Sequence, residues 1–132
     1  MYPARDYIDR GIVAAFGSDA PVTFLNPLLG IHAAVNRISV KGDSIGVNQR
    51  IDVMEAIKAY TWNGAFASFE ESQKGSIEVG KLADLVILND SILQADKSAI
   101  KEMNVEFTMI NGDVLYNRHE VYKNRETNKA VN

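Results

Sequence analysis

Gly11-Ile12-Val13-Ala14-Ala15-Phe16 runs directly into Gly17-Ser18-Asp19-Ala20-Pro21-Val22, and the reading of this junction decides the fold. Ile12 to Phe16 is too short for a helix of its own. It is nearly continuously apolar, as a strand covered on both faces would be. Asp19 then emerges where the backbone leaves the sheet, the end at which parallel α/β architectures carry their chemistry. By local pattern alone, Ser18-Asp19-Ala20-Pro21 also fits a plain turn in which the Asp hydrogen-bonds its own backbone.

Working outward, Tyr2 to Arg10 reads as the last turns of a helix stopped by Gly11. Asn26 can cap a second helix with Pro27 at its first position, followed by Leu28, Leu29, His32, Val35 and Ile38 at three- and four-residue steps. Asp52 and Glu55 form a capping-box pair opening a helix to about Tyr60. Thr61-Trp62-Asn63-Gly64 breaks that helix, and Asn63 can cap a short one through Phe69, ended by Lys74-Gly75. From Gly75 the pattern turns to β: Ser76 to Lys81 alternates, Ala83 to Leu88 is a compact strand, and Ser98 to Met103 allows one or two helical turns. Val105 to Ile110 and Asp113 to Tyr116 flank Asn111-Gly112, the strongest short hairpin signal. Arg118 to Asn132 is polar and weakly periodic, expected to fray.

Composition narrows the function. With 46% hydrophobic and 23% charged residues, the chain reads as a soluble globular protein. Its net charge of −3 and scattered basic residues argue against nucleic-acid binding. No cysteine is present, so a metal would have to be held by His, Asp, Glu or a modified Lys. No apolar run approaches the roughly 20 residues that span a bilayer, and the first residues lack a signal-peptide layout. A cytoplasmic location is expected, without membrane partners.

Gly17 to Val22, Asn26-Pro27-Leu28, Ala33 to Arg37, Glu55-Ala56 with Ala59-Tyr60-Thr61, and above all Lys74-Gly75-Ser76-Ile77-Glu78-Val79-Gly80-Lys81-Leu82-Ala83-Asp84-Leu85-Val86-Ile87-Leu88 carry a resemblance. The chain, from about Tyr2 to Tyr116, resembles the C-terminal part of the amidohydrolase superfamily, near the N-substituted formamide deformylase-like branch. The resemblance implies an α/β fold, a C-terminal fragment of a (β/α)₈ TIM barrel with its last strand and helices, plus C-terminal strands of a composite β-sandwich. It divides the chain into residues 1–74 for the barrel portion, 75–117 for the sandwich strands and 118–132 for a polar tail.

The activity implied is metal-dependent hydrolysis of a C–N bond in a small, non-peptide amide or formamide-like substrate. Asp19 would contact the metal or its bound water, accept a proton as water attacks the carbonyl, and pass it to the leaving nitrogen. The cofactor implied is a divalent metal, zinc first. Family members also carry a His-X-His pair and two further His ligands, whereas this sequence has only His32 and His119. A catalytic zinc site takes about three protein ligands and a full barrel roughly 250 residues. The chain is therefore expected to be a fragment, to hold no catalytic metal and be inactive in isolation, and to self-associate through its open edge.

Other residues carry plainer expectations. Arg37, at the end of the helix after Asp19, suits the helix dipole and a surface ion pair, and the resemblance keeps it as a substrate-binding candidate. His32 is expected to be half-buried and hydrogen-bonded on a core-facing helix, Tyr60 and Trp62 to pack, Asp84 to be a structural hydrogen-bonding residue, and Lys81 a turn residue. Two competing functions stand beside the hydrolase: a non-catalytic assembly or regulatory module derived from an amidohydrolase, and a small autonomous α/β binding domain in which Asp19 merely ends a strand.

Overall fold

A computed structural model describes residues 2–120, and the tail beyond them lies outside the described residues. Four α-helices precede a small sheet: α1 (Ala4–Asp9), α2 (Pro27–Asn36), α3 (Val53–Tyr60) and α4 (Trp62–Ala67), then β1 (Leu85–Leu88), β2 (Val105–Ile110) and β3 (Asp113–Asn117). Short 3₁₀ turns occupy Val47–Gln49 and Lys97–Glu102. No helix among the described residues is long and apolar enough to cross a membrane.

The helix starts follow their local chemistry. Asn26 accepts the Leu28 N–H at 3.0 Å ahead of Pro27, satisfying a donor that a helix N-terminus leaves free. Asp52 accepts the Glu55 N–H at 2.7 Å while Glu55 accepts the Asp52 N–H at 2.8 Å, the reciprocal pair expected of a capping box. Glu55 also receives the Arg5 guanidinium, which ties α3 to α1.

One core joins the helices to the later chain. Leu28, Ile31 and Val35 of α2 pack with Ile51, Val53 and Ala56, and with Ile100 and Met103 from and beside the second 3₁₀ turn. Leu88 and Ile92 lie against the same cluster. The residues after Gly75 thus return to the helical layer and share its core. Gly30 of α2 leaves room for Tyr60 of α3, because a Cβ there would sit 1.8 Å from the Tyr60 hydroxyl.

The sheet is antiparallel in the order β1-β2-β3, with Leu85 opposite Met109 and Ile110 opposite Asp113. Its register shifts between Ile87 and Leu88 and between Thr108 and Met109. Asn111 and Gly112 turn the hairpin with φ of 51° and 88°, the pair of left-handed residues that a two-residue turn needs to follow the strand twist.

Three expectations are corrected. Ile12 to Phe16 forms no strand among the described residues: a strand exists through its ladder partners, and this segment meets helices instead, with the Phe16 N–H donating to Ala59 O at 2.9 Å. Ser76 to Lys81 is a loop, not a sheet element. Lys81 N donates back to Glu78 O at 3.2 Å, and the Lys81 ammonium binds Ser76 Oγ at 2.6 Å, so side-chain bonds close a turn where no partner strand lies alongside. Asn63 does not cap α4, which begins one residue earlier at Trp62. Its amide instead donates to Ala14 O at 2.8 Å. No second sheet faces β1-β2-β3 among the described residues.

Candidate functional site around Asp19

The segment leading to Asp19 is held from one side by α3 and α4. Phe16 N–H is bound to Ala59 O, Ala14 O accepts the Asn63 amide, and the Phe16 ring meets Tyr60 edge-on at 5.8 Å. Beyond it the backbone folds tightly. Asp19 adopts φ of 53°, a left-handed geometry that Asp tolerates better than most residues. Its carbonyl accepts the Val22 N–H at 2.8 Å across a cis Ala20–Pro21 bond, and Thr23 Oγ1 donates to Ser18 O. These two bonds bracket Asp19 from before and after.

The carboxylate takes no part in that turn. Asp52, Asp84, Asp90 and Asp96 each spend an oxygen on a backbone N–H, as structural Asp residues in caps and turns do. Asp19 is exposed, and the backbone carbonyl does the turn's bonding. No hydrogen bond or ion pair engages its side chain among the described residues. Asp43 and Asp113 are also uncommitted, but neither ends an apolar run leading out of the core. The alternative reading, a turn in which Asp19 bonds its own backbone, is therefore not what forms.

The other sequence candidates lie elsewhere. Arg37 follows the C-terminus of α2 with φ of 54°, and its Nε donates to Ile45 O at 3.2 Å. Asp19 precedes the other end of this 10-residue helix, so the helix axis puts roughly 15 Å between its two ends. No hydrogen bond or ion pair joins the two residues among the described residues, and Arg37 makes a backbone contact rather than the expected ion pair. His32 is half-buried on α2 as expected, and burial, then Lys101, lowers its pKa. No hydrogen bond to its ring occurs among the described residues. His119 sits exposed at the end of the hairpin, 3.3 Å from Glu106.

Asn63 is the residue that sequence reasoning missed. Its Oδ1 is buried without a partner while its Nδ2 secures Ala14, and the signal was a lone amide among Trp62, Ala65 and Phe66. It borders a groove of about 370 Å³ that runs along Ile12 to Ala14 between α1 and α3. Asp19 does not line that groove. Among the described residues no group of three or more His, Cys, Asp or Glu could hold a metal ion, so these side chains do not by themselves form a metal centre.

The amidohydrolase family profile matches residues 1–116. The chain belongs to the amidohydrolase family. It is 36% identical over 117 residues to the amidohydrolase YtcJ of Bacillus subtilis, covering 86% of this chain and 22% of that protein. It is 30% identical over 118 residues to N-substituted formamide deformylase of Arthrobacter pascens, covering 89% and 22%. Among solved structures, an amidohydrolase of Thermotoga maritima superposes with a TM-score of 0.66 at 22% identity, over 87% of this chain and 26% of that one. The chain thus spans about a fifth of the length of these curated relatives, and this amidohydrolase segment carries the Asp19 turn, the α2 to α4 layer and the hairpin.

Proposed function

We propose that the whole protein hydrolyses a C–N bond in a small, non-peptide amide or formamide-like substrate, with Asp19 as proton acceptor. The observation that carries this reading is the uncommitted, exposed carboxylate on a backbone turn that is fixed without it. A side chain that the fold does not use for its own bonding is available to a substrate. In the proposed step the oxygen of a water bonds the carbonyl carbon, and its proton passes to an Asp19 oxygen. The C–N bond then breaks and the same proton moves to the leaving nitrogen.

The family generally uses a divalent metal. Asp19 alone cannot make such a site, so ligands from outside these residues are required, and no step is assigned to the metal. Zinc is our preferred identity. Within the same reading, residues 1–74 belong to the barrel portion, with Ile12 to Phe16 as a strand that gains its ladder in the whole protein, and residues 75–117 belong to the sandwich.

The test is Asp19→Asn in the whole protein. The expected result is a fall in turnover of at least about a hundredfold, within the range that a positioned base contributes, at unchanged melting temperature. Turnover within a factor of two of wild type removes Asp19 from the mechanism.

A further inference from the structure

Two Asn-Gly dipeptides stand in the chain, Asn63-Gly64 and Asn111-Gly112, and the structure holds them differently. Asparagine before glycine is the pair most prone to lose its side-chain amide, because no Cβ on the second residue keeps its backbone nitrogen from the asparagine Cγ. Asn63-Gly64 lies inside α4, where helical backbone angles turn that nitrogen away from Cγ, and the Asn63 amide nitrogen is tied to Ala14 O. Asn111-Gly112 instead forms the turn between β2 and β3, with left-handed φ at both residues. Among the described residues no hydrogen bond holds the Asn111 side chain.

The reacting backbone is restrained from outside the hairpin. The Gly112 N–H, the group that has to become the nucleophile, donates to Ala83 O at 3.2 Å, and the Asn111 N–H donates to Asp84 Oδ1 at 2.8 Å. The Gly112 nitrogen must leave Ala83 O and lose its proton before it can attack. The Asp84 carboxylate, one amide away, also opposes the negative charge that forms there.

We infer that Asn111 is a site of spontaneous covalent modification and that the two bonds from the start of β1 set its rate. The Gly112 nitrogen gives its proton to hydroxide and bonds Asn111 Cγ. The bond from Cγ to the side-chain nitrogen then breaks, and that nitrogen leaves as ammonia after taking a proton from water, which restores the hydroxide. A cyclic succinimide remains. Water adds to either of its carbonyls and opens the ring, giving aspartate, or isoaspartate in which the main chain runs through Cγ. Both products place a new carboxylate where Asp84 already bonds the backbone. Isoaspartate also lengthens the turn by one backbone carbon, out of step with the pairing of Ile110 and Asp113.

The experiment incubates the whole protein at neutral pH, under conditions where denaturation curves show each variant folded. Peptide mass spectrometry follows amide loss at Asn111 and Asn63 in the wild type, Asp84→Ala and Asp84→Asn, with the free peptide 105–117 as the unrestrained reference. Wild-type Asn111 is expected to convert at least about tenfold more slowly than the peptide, and Asp84→Ala about tenfold faster than wild type, the factor that one hydrogen bond to a charged acceptor makes. Asp84→Asn keeps an acceptor and should fall between the two, while Asn63 stays intact in all three. Asp84→Ser, too short to reach the Asn111 N–H, carries the same comparison if Asp84→Ala does not fold. Equal Asn111 rates in wild type and Asp84→Ala overturn the inference, as does a wild type that converts as fast as the free peptide. Conversion at Asn63 ahead of Asn111 overturns it too.

Discussion

Asp84 Oδ1 accepts the backbone N–H of Asn111 at 2.8 Å, and beside it Ala83 O accepts the N–H of Gly112 at 3.2 Å. The residues entering β1 therefore hold both central residues of the β2–β3 turn, 27 and 29 positions further along. An acid inside an apolar strand motif invites a catalytic reading, and its geometry shows a structural one.

Replacing Asp84 with Ala leaves the Asn111 N–H without this acceptor, a loss expected to cost about 1–2 kcal/mol. Asp84→Asn keeps a carbonyl oxygen in place and should recover most of it. Chemical denaturation of the three proteins checks this, and equal stability of Ala and Asn variants would show that the bond contributes nothing.

What the sequence made legible was bonding over a few residues. Asn26 with Leu28, Asp52 with Glu55, and Asn111-Gly112 each satisfy backbone groups within one turn, so residue type and spacing suffice to find them. What it concealed were contacts that depend on distant chain. Ile12 to Phe16 has the composition of a buried strand, but a ladder needs a neighbour, and here Ala59 and Asn63 supply its bonds. Ser76 to Lys81 alternates like a strand, yet Lys81 and Ser76 close it into a loop. At the candidate site, the apolar run before Asp19 singled that residue out, whereas the freedom of its carboxylate depended on which atom closes the turn.

Gly75 is expected to be irreplaceable for two independent reasons. Its φ is 91°, and a Cβ there would lie 2.7 Å from Ala65 Cβ and 3.0 Å from Trp62 Cα. The left-handed geometry alone costs of order 1–3 kcal/mol when held by a non-glycine residue, and the backbone atom of Trp62 cannot swing away. Gly75→Ala should therefore destabilise by at least about 2 kcal/mol in denaturant unfolding, with Gly80→Ala, which meets nothing within 4 Å, costing less.

His32 should make stability fall with acid. Burial, helped by Lys101, lowers its pKa below the ordinary 6.5, with Glu102 opposing. The folded state then binds fewer protons than the unfolded one as pH falls through about 6.5, so the contribution is present above that value and is lost below it. His32→Gln should flatten the decline in melting temperature between about pH 7.5 and 5.5 relative to wild type. An identical slope in both proteins would assign the acid sensitivity to other groups.

The isolated 132-residue chain should self-associate. Ile12 and Val13 are 51% and 44% exposed beside the groove along α1 and α3, and this segment has no strand paired alongside it, so it offers an edge to another copy. The apolar loop from Val22 to Leu25 adds a second adhesive surface. Sedimentation velocity is expected to show species heavier than the 14.6 kDa monomer, with dye binding typical of exposed apolar surface. Placing Lys at Val13 should shift the distribution towards monomer, because a charge on an unpaired edge opposes edge-to-edge pairing. A wild-type chain that sediments as a compact monomer with little dye binding would mean that the helices already cover this edge sufficiently.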